Sequence, residues 1–166
     1  MIRLPRQAPP PQAQTRESLP LNRGLPILLI EPDENYLFLL QQALHNDDVR
    51  NPVAAVTNGR DALDYLRGRG QFADRKAHPY PSVIFTELKL PLRSGFDVLK
   101  WLRDHPQRPV IPTIVLSSSD LDSDIRKAYR LGCHSYLIKP ATLQQLQRLL
   151  AMVYGYWRVC EKPQMA

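Results

Sequence analysis

The sequence predicts an α/β domain: a doubly wound parallel sheet with helices on both faces. Three observations predict it. Five short, β-prone apolar runs alternate with segments whose apolar residues recur at helical spacing, all within about one domain length. The central runs lack the polar alternation of a half-exposed strand, as expected where both faces are covered. Four of the five helical segments follow a residue suited to N-capping, and the carboxylates Glu31 and Glu87 stand just beyond two of the runs, where open α/β sheets build their sites.

The elements follow in order. Ile27 to Ile30 is a strand, and Asp33 caps a helix carrying Leu37, Leu40 and Leu44. Val53 to Val56 is a second strand; Asn58 caps a helix whose Ala62, Leu63 and Leu66 face inward and which ends around Gly68 to Gly70. A polar loop through His78, Pro79 and Pro81 leads into the central run, Val83 to Pro91, in which Glu87 falls where the strand leaves the core. Ser94 caps a third helix expected to bury Phe96, Leu99 and Leu102. Ile111 to Leu116 is the fourth strand, and the helix after it carries Ile125, Ala128 and Tyr129 before Gly132 stops it. Ser135 to Ile138 is the fifth strand, and Thr142 caps a last helix with an apolar stripe from Leu143 to Trp157. Short right-handed crossovers make the flavodoxin-like strand order 2-1-3-4-5 the economical topology. It sets strands 1 and 3 side by side, with Glu31 and Asp33 near Glu87.

Composition narrows the classes. The 166 residues suit one domain over positions 25–160, between a Pro- and Arg-rich tail at 1–24, expected to be disordered, and a short tail at 161–166. No apolar run approaches the length needed to cross a bilayer, and the proline-broken opening is not a secretory signal. Cys133 and Cys160 are too few for a disulfide framework, so the expectation is a cytoplasmic protein away from membranes. Half of the formal charge of +6 sits on the tail, and the remaining basic residues are scattered among acids, which argues against nucleic-acid binding. His45, His78, His105 and His134 show no metal-ligand spacing.

The motifs ILLIEPDE, NGRDALDYL, VIFTELKLPLRSGFDVL, IPTIVLSSS and GCHSYLIKP stand in this order from Ile27 onward. Together they resemble the receiver domains of bacterial two-component response regulators. The loop before the third strand and the aromatic YGYW at Tyr154 to Trp157 are most similar to the small stand-alone receivers that partner bacterial phytochromes. In typical members, the resemblance implies, an aspartate ending the third strand takes a phosphoryl group from a histidine kinase. An acidic pair after the first strand holds Mg²⁺, a Ser or Thr ends the fourth strand, and a Lys precedes Pro after the fifth. In-line transfer needs a short, fixed carboxylate and cations to offset the phosphoryl charge.

Ser117 matches the hydroxyl residue, Tyr136 the aromatic switch residue and Lys139 the lysine. Two positions depart. Glu87 stands where the family has its acceptor aspartate, and Pro32 where it has the second acid, leaving Glu31 and Asp33 as the acidic pocket. Glutamate moves the carboxylate by about 1.5 Å, and misplacement of about 1 Å can cost on the order of a hundredfold. Proline supplies no ligand oxygen, so no cofactor is expected, with Mg²⁺ only if the acidic pocket remains competent. Glu87 and Lys139 are expected to form an ion pair that fixes the switch, in an active-like or an inactive-like state.

The resulting expectation is a non-enzymatic signalling module with no output domain, acting by contact with a sensor histidine kinase, a phytochrome-like photoreceptor or another signalling protein. Tyr154, Tyr156 and Trp157 widen the apolar arc of the last helix and suit a homodimer interface. Two alternatives stand beside it. One is a working phosphotransfer receiver using Glu87 or a neighbouring residue; the other is a flavodoxin-like enzyme or small-molecule binder, against which the turns after Glu31 and Glu87 offer no glycine-rich phosphate loop.

Overall fold

The structure is a computed structural model and describes residues 24–45, 49–106, 108 and 110–160. The tail expected over positions 1–24 lies, but for its last residue, outside the described residues, as does the segment 161–166. Five parallel strands lie in the order 2-1-3-4-5: β1 (Ile27–Ile30), β2 (Val53–Val56), β3 (Val83–Thr86), β4 (Thr113–Ser117) and β5 (Ser135–Ile138). The helices between and after them are α1 (Glu34–Leu44), α2 (Gly59–Arg67), α3 (Gly95–Arg103), α4 (Asp122–Arg130) and α5 (Leu143–Val159). This is the topology read from the alternation of apolar runs.

The three central strands, β1, β3 and β4, are buried because alternate residues feed two cores. Along β1, Ile27 and Leu29 join Leu40, Phe85, Leu146 and Leu150 on the face covered by α1 and α5. Leu28 and Ile30 join Val56, Leu66, Ile84 and Val98 on the opposite face. Four helices begin on side-chain caps, at Asp33, Asn58, Ser94 and Thr142, the last of these accepting from Gln145 N. Ser94 and Asp97 form a reciprocal capping box.

Several details differ from the sequence reading. The fourth strand starts at Thr113 rather than Ile111, because Pro112 has no N–H for the ladder and contributes its carbonyl to Ile84 N instead. On α3 the buried set is Val98, Leu99 and Trp101, while Phe96 and Leu102 are half-buried. Gly95 decides this: a Cβ there would come within 2.3 Å of the Glu87 carbonyl oxygen, so only glycine lets the helix start so close to β3. Tyr129 on α4 is half exposed, and its hydroxyl accepts the Tyr136 N–H of the edge strand β5. The loop after α2 holds a short 3₁₀ turn, Gly70–Phe72, and is fastened by Arg75, whose guanidinium donates to the carbonyls of Tyr65, Leu66 and His78.

The aromatic run near the end of α5 divides. Tyr154 is buried and donates to Asn51 Oδ1 at 3.0 Å, so it belongs to the core and offers no interface surface, contrary to the sequence reading. Tyr156 is exposed, and Trp157 is half-buried with its ring edge-on to His134. Among the described residues, no helix is long and apolar enough to cross a membrane.

Candidate functional site

The register of the sheet builds the site. Ile30 lies opposite both Val56 and Thr86, so the next residue on each of β1 and β3 is a glutamate at the carboxyl edge. The Glu31 N–H donates to Val56 O and the Glu87 N–H to Ile30 O, which fixes the two backbones one strand apart. On the far side, Ser117 ends β4 opposite Ile138, and Lys139 N donates to Ser117 O at 2.9 Å. Four strands thus deliver Glu31, Glu87, Ser117 and Lys139 to one point.

The Lys139 ammonium lies between the two carboxylates, 2.6 Å from Glu31 Oε2 and 2.9 Å from Glu87 Oε2. Both glutamates are buried, at 2% and 4% exposure. The expected Glu87–Lys139 pair is present, and Glu31 completes a triad that the sequence reading did not foresee. The Tyr36 ring stands 4.4 Å from Nζ, adding a cation–π contact from α1. Glu87 Oε1 accepts from Ser117 Oγ at 2.5 Å and from Leu88 N at 2.6 Å, and Oε2 lies 3.4 Å from Ser118 N. Glu31 Oε1 accepts from Asp33 N at 3.0 Å. Every carboxylate oxygen of the pair already has a donor.

One ammonium between two carboxylates splits their acidities. Burial pushes Glu31 above the usual carboxylate range; the Lys139 and Asp33 hydrogen bonds oppose that shift, and the nearby Glu87 charge adds to it. Burial pushes Glu87 up as well, but the Ser117 hydroxyl, Lys139 and the Leu88 N–H outweigh it and hold Glu87 below the usual range. The same buried charges act on Tyr36, whose hydroxyl is pushed up to about 12, first by burial and then by Glu31 and Glu87.

The remaining predicted residues sit around this centre. Asp33 is exposed and its Oδ1 accepts from Asn35 N and Tyr36 N, so this carboxylate caps α1 and does not join the triad. Pro32 separates it from Glu31. Tyr136 is half-buried with its hydroxyl donating to Ser119 O at 2.8 Å, and Ser119 N donates in turn to Ser117 Oγ. Hydrogen bonds therefore run from Glu87 through Ser117 and Ser119 to Tyr136. Tyr156 and Trp157 lie on α5. Among the described residues, no group of three or more His, Cys, Asp or Glu side chains is arranged to hold a metal ion.

The model of the response regulator receiver domain matches residues 27–151. The chain belongs to that family. This receiver is similar to the response regulator Rcp1 of Synechocystis, 27% identical over 131 residues that span 79% of this chain and 87% of Rcp1. The crystal structure of phosphorylated RcpA, a cyanobacterial phytochrome response regulator, is 32% identical with a TM-score of 0.77, covering 85% of this chain and 99% of that one. The bacteriophytochrome response regulator RtBRR is 35% identical with a TM-score of 0.68, covering 86% of this chain and 82% of its own. Rcp1 has been crystallised with Mn²⁺ bound. The fold and the two-component receiver identity expected from the ordered motifs therefore hold, as does the likeness to receivers associated with phytochromes.

Proposed function

We propose that this receiver is held in one switch state by the ion pair of Glu87 with Lys139, whose ammonium takes the place of a divalent ion, and that it signals by protein contact. The observation that carries the reading is the ammonium within 2.9 Å of both Glu31 and Glu87. Magnesium requires near-octahedral oxygen ligands and usually keeps several waters. Here Pro32 adds no donor, Asp33 is engaged at the cap, and the oxygens of Glu31 and Glu87 already accept from an ammonium, a hydroxyl and amides. This donor set fits Lys139 and does not fit a hexacoordinate divalent cation.

The fixed state is the one in which Tyr136 is turned in on Ser119. Glu87 holds Ser117, Ser117 accepts from Ser119 N, and the Ser119 carbonyl takes the Tyr136 hydroxyl. The partner is a sensor histidine kinase or phytochrome-like photoreceptor, met by a cytoplasmic receiver domain spanning residues 25–160. A second copy of the chain docks on the outer face of α5, where Met152, Tyr156 and Val159 recur at i, i+4 and i+7 and are each about two-thirds exposed.

The test is intact-mass measurement after incubation with acetyl phosphate and Mg²⁺. The wild-type chain gains no phosphoryl group, whereas the Glu87→Asp, Pro32→Asp double variant, with a short acceptor and a second acid, becomes labelled. Rapid labelling of the wild-type chain at Glu87 would overturn the proposal.

A further inference from the structure

A cleft of about 240 Å³ opens at the opposite, amino-terminal edge of β4, far along the strands from Glu87. Its walls are largely apolar and aromatic, with Leu99, Ile111 and Leu131 beside Tyr80, Trp101 and His105. The aromatic part is held in place: the His105 ring stacks on Trp101 with centroids 4.4 Å apart, and its Nδ1 donates to Trp101 O at 2.7 Å.

The charged groups of the lining, Arg103 and Arg108, have one sign. Arg103, Arg108, His105 and His134 line the cleft, and no Asp or Glu does among the described residues. Arg103 has a carboxylate partner, Asp104, at 3.0 Å. Arg108 has a different environment. It sits over the rings of Trp101 and Tyr80, at 5.0 and 5.4 Å, and its Nη1 donates to Leu66 O at the end of α2. Among the described residues, its buried Nε has no hydrogen-bond partner, and the buried Tyr80 hydroxyl has none either. His134 Nδ1 accepts from Thr113 N, which leaves the ring hydrogen on Nε2 as a further donor.

A buried donor without an acceptor is costly, and most such groups in folded proteins are satisfied by protein, water or ligand. With Nη1 taken by Leu66, the guanidinium edge that contains Nε is the one a carboxylate meets side-on. We infer that this cleft is a binding site for a small organic carboxylate whose apolar body lies against Trp101, Ile111 and Leu131 and whose anionic end meets Arg108 and Tyr80. The cleft is smaller than the roughly 300–1,000 Å³ of sites for drug-sized ligands, so the occupant is of the size of a single substituted ring. The inference does not depend on the state of Glu87 and Lys139.

The experiment is a titration of the full-length, ¹⁵N-labelled protein with benzoate, following the Trp101 indole N–H, with benzyl alcohol as the uncharged analogue of like shape and inorganic phosphate as the anion without an apolar body. The expected result is saturable benzoate shifts centred on Trp101, at least tenfold weaker binding of both comparison probes, and roughly tenfold weaker benzoate binding by Arg108→Gln. Non-saturating benzoate shifts, equal binding of benzyl alcohol, or tighter binding of phosphate would each overturn the inference. The probe comparison uses the wild-type chain, so it decides the matter even if Arg108→Gln loosens the α2 terminus.

Discussion

Replacing Lys139 with methionine keeps most of the aliphatic stem against Tyr36 and removes the ammonium from between Glu31 and Glu87. At an effective dielectric constant of about 20, each contact below 3 Å corresponds to about 6 kcal/mol of Coulomb attraction, much of it offset by the desolvation of the three groups. Breaking a buried pair by deleting one partner typically costs about 3–5 kcal/mol. A second route to the magnitude agrees. Without the ammonium the buried carboxylates relieve their repulsion by taking up a proton, and keeping protonated a group whose ordinary value is 4.5 costs about 4 kcal/mol at pH 7.5 and about 1 kcal/mol at pH 5. Urea unfolding of Lys139→Met should therefore show a loss of about 4 kcal/mol at pH 7.5 that shrinks to about 1 kcal/mol at pH 5. A loss independent of pH, or one below about 1 kcal/mol at pH 7.5, would refute the placement of the charge.

The two glutamates should respond in opposite senses. Glu87 is held low, so its contribution is present above pH 4.5 and is lost as the pH falls from there through its folded value; Glu87→Gln should cost about 2–3 kcal/mol at pH 7.5, and urea curves of variant and wild type should converge in acid. Glu31 is held high, so its contribution is present below pH 4.5 and is lost as the pH rises through its folded value; Glu31→Gln should cost under about 1 kcal/mol at pH 7.5, and a loss matching that of Glu87→Gln would contradict the split. Gly95→Ala drives a methyl group onto the Glu87 carbonyl and should destabilise by about 2–3 kcal/mol in thermal melts, where a neutral result would deny the close approach of α3 to β3. Tyr156→Ser should lower the molar mass measured by light scattering from dimer to monomer, with an unchanged mass counting against the α5 interface.

Much of this architecture was legible because the β-strands are short and largely apolar and four of the five are followed by a helix with a side-chain cap. Local rules then coincide with the global fold. The meeting of Glu87, Ser117 and Lys139 was legible through the ordered motifs, three of which carry these residues across the carboxyl ends of β3, β4 and β5. What escaped depends on distances between residues far apart in the chain. Lys139 reaches Glu31 as well as Glu87, and Tyr36 lies against the ammonium, because strand register and the packing of α1 on the sheet set those separations. Position 33 is decided locally: an aspartate just before a helix has two amides to accept from, and that competes with any role in the pocket. The aromatic cluster on α5 contained a usable signal. Leu146, Leu150 and Tyr154 recur every four residues, which assigns Tyr154 to the buried face and turns Tyr156 outward. Gly95 carried a signal too, since a glycine in the first turn of a helix that follows the carboxylate strand marks backbone contact.

The most direct test is a paramagnetic one. With Mn²⁺ added to the ¹⁵N-labelled wild-type chain, the amides of Leu88 and Ser118, which donate to Glu87, are predicted to keep their line widths at ion concentrations that broaden the amides beside exposed surface carboxylates. Selective broadening of those two amides at low Mn²⁺ would place a divalent ion where Lys139 is held to be, and would contradict that prediction.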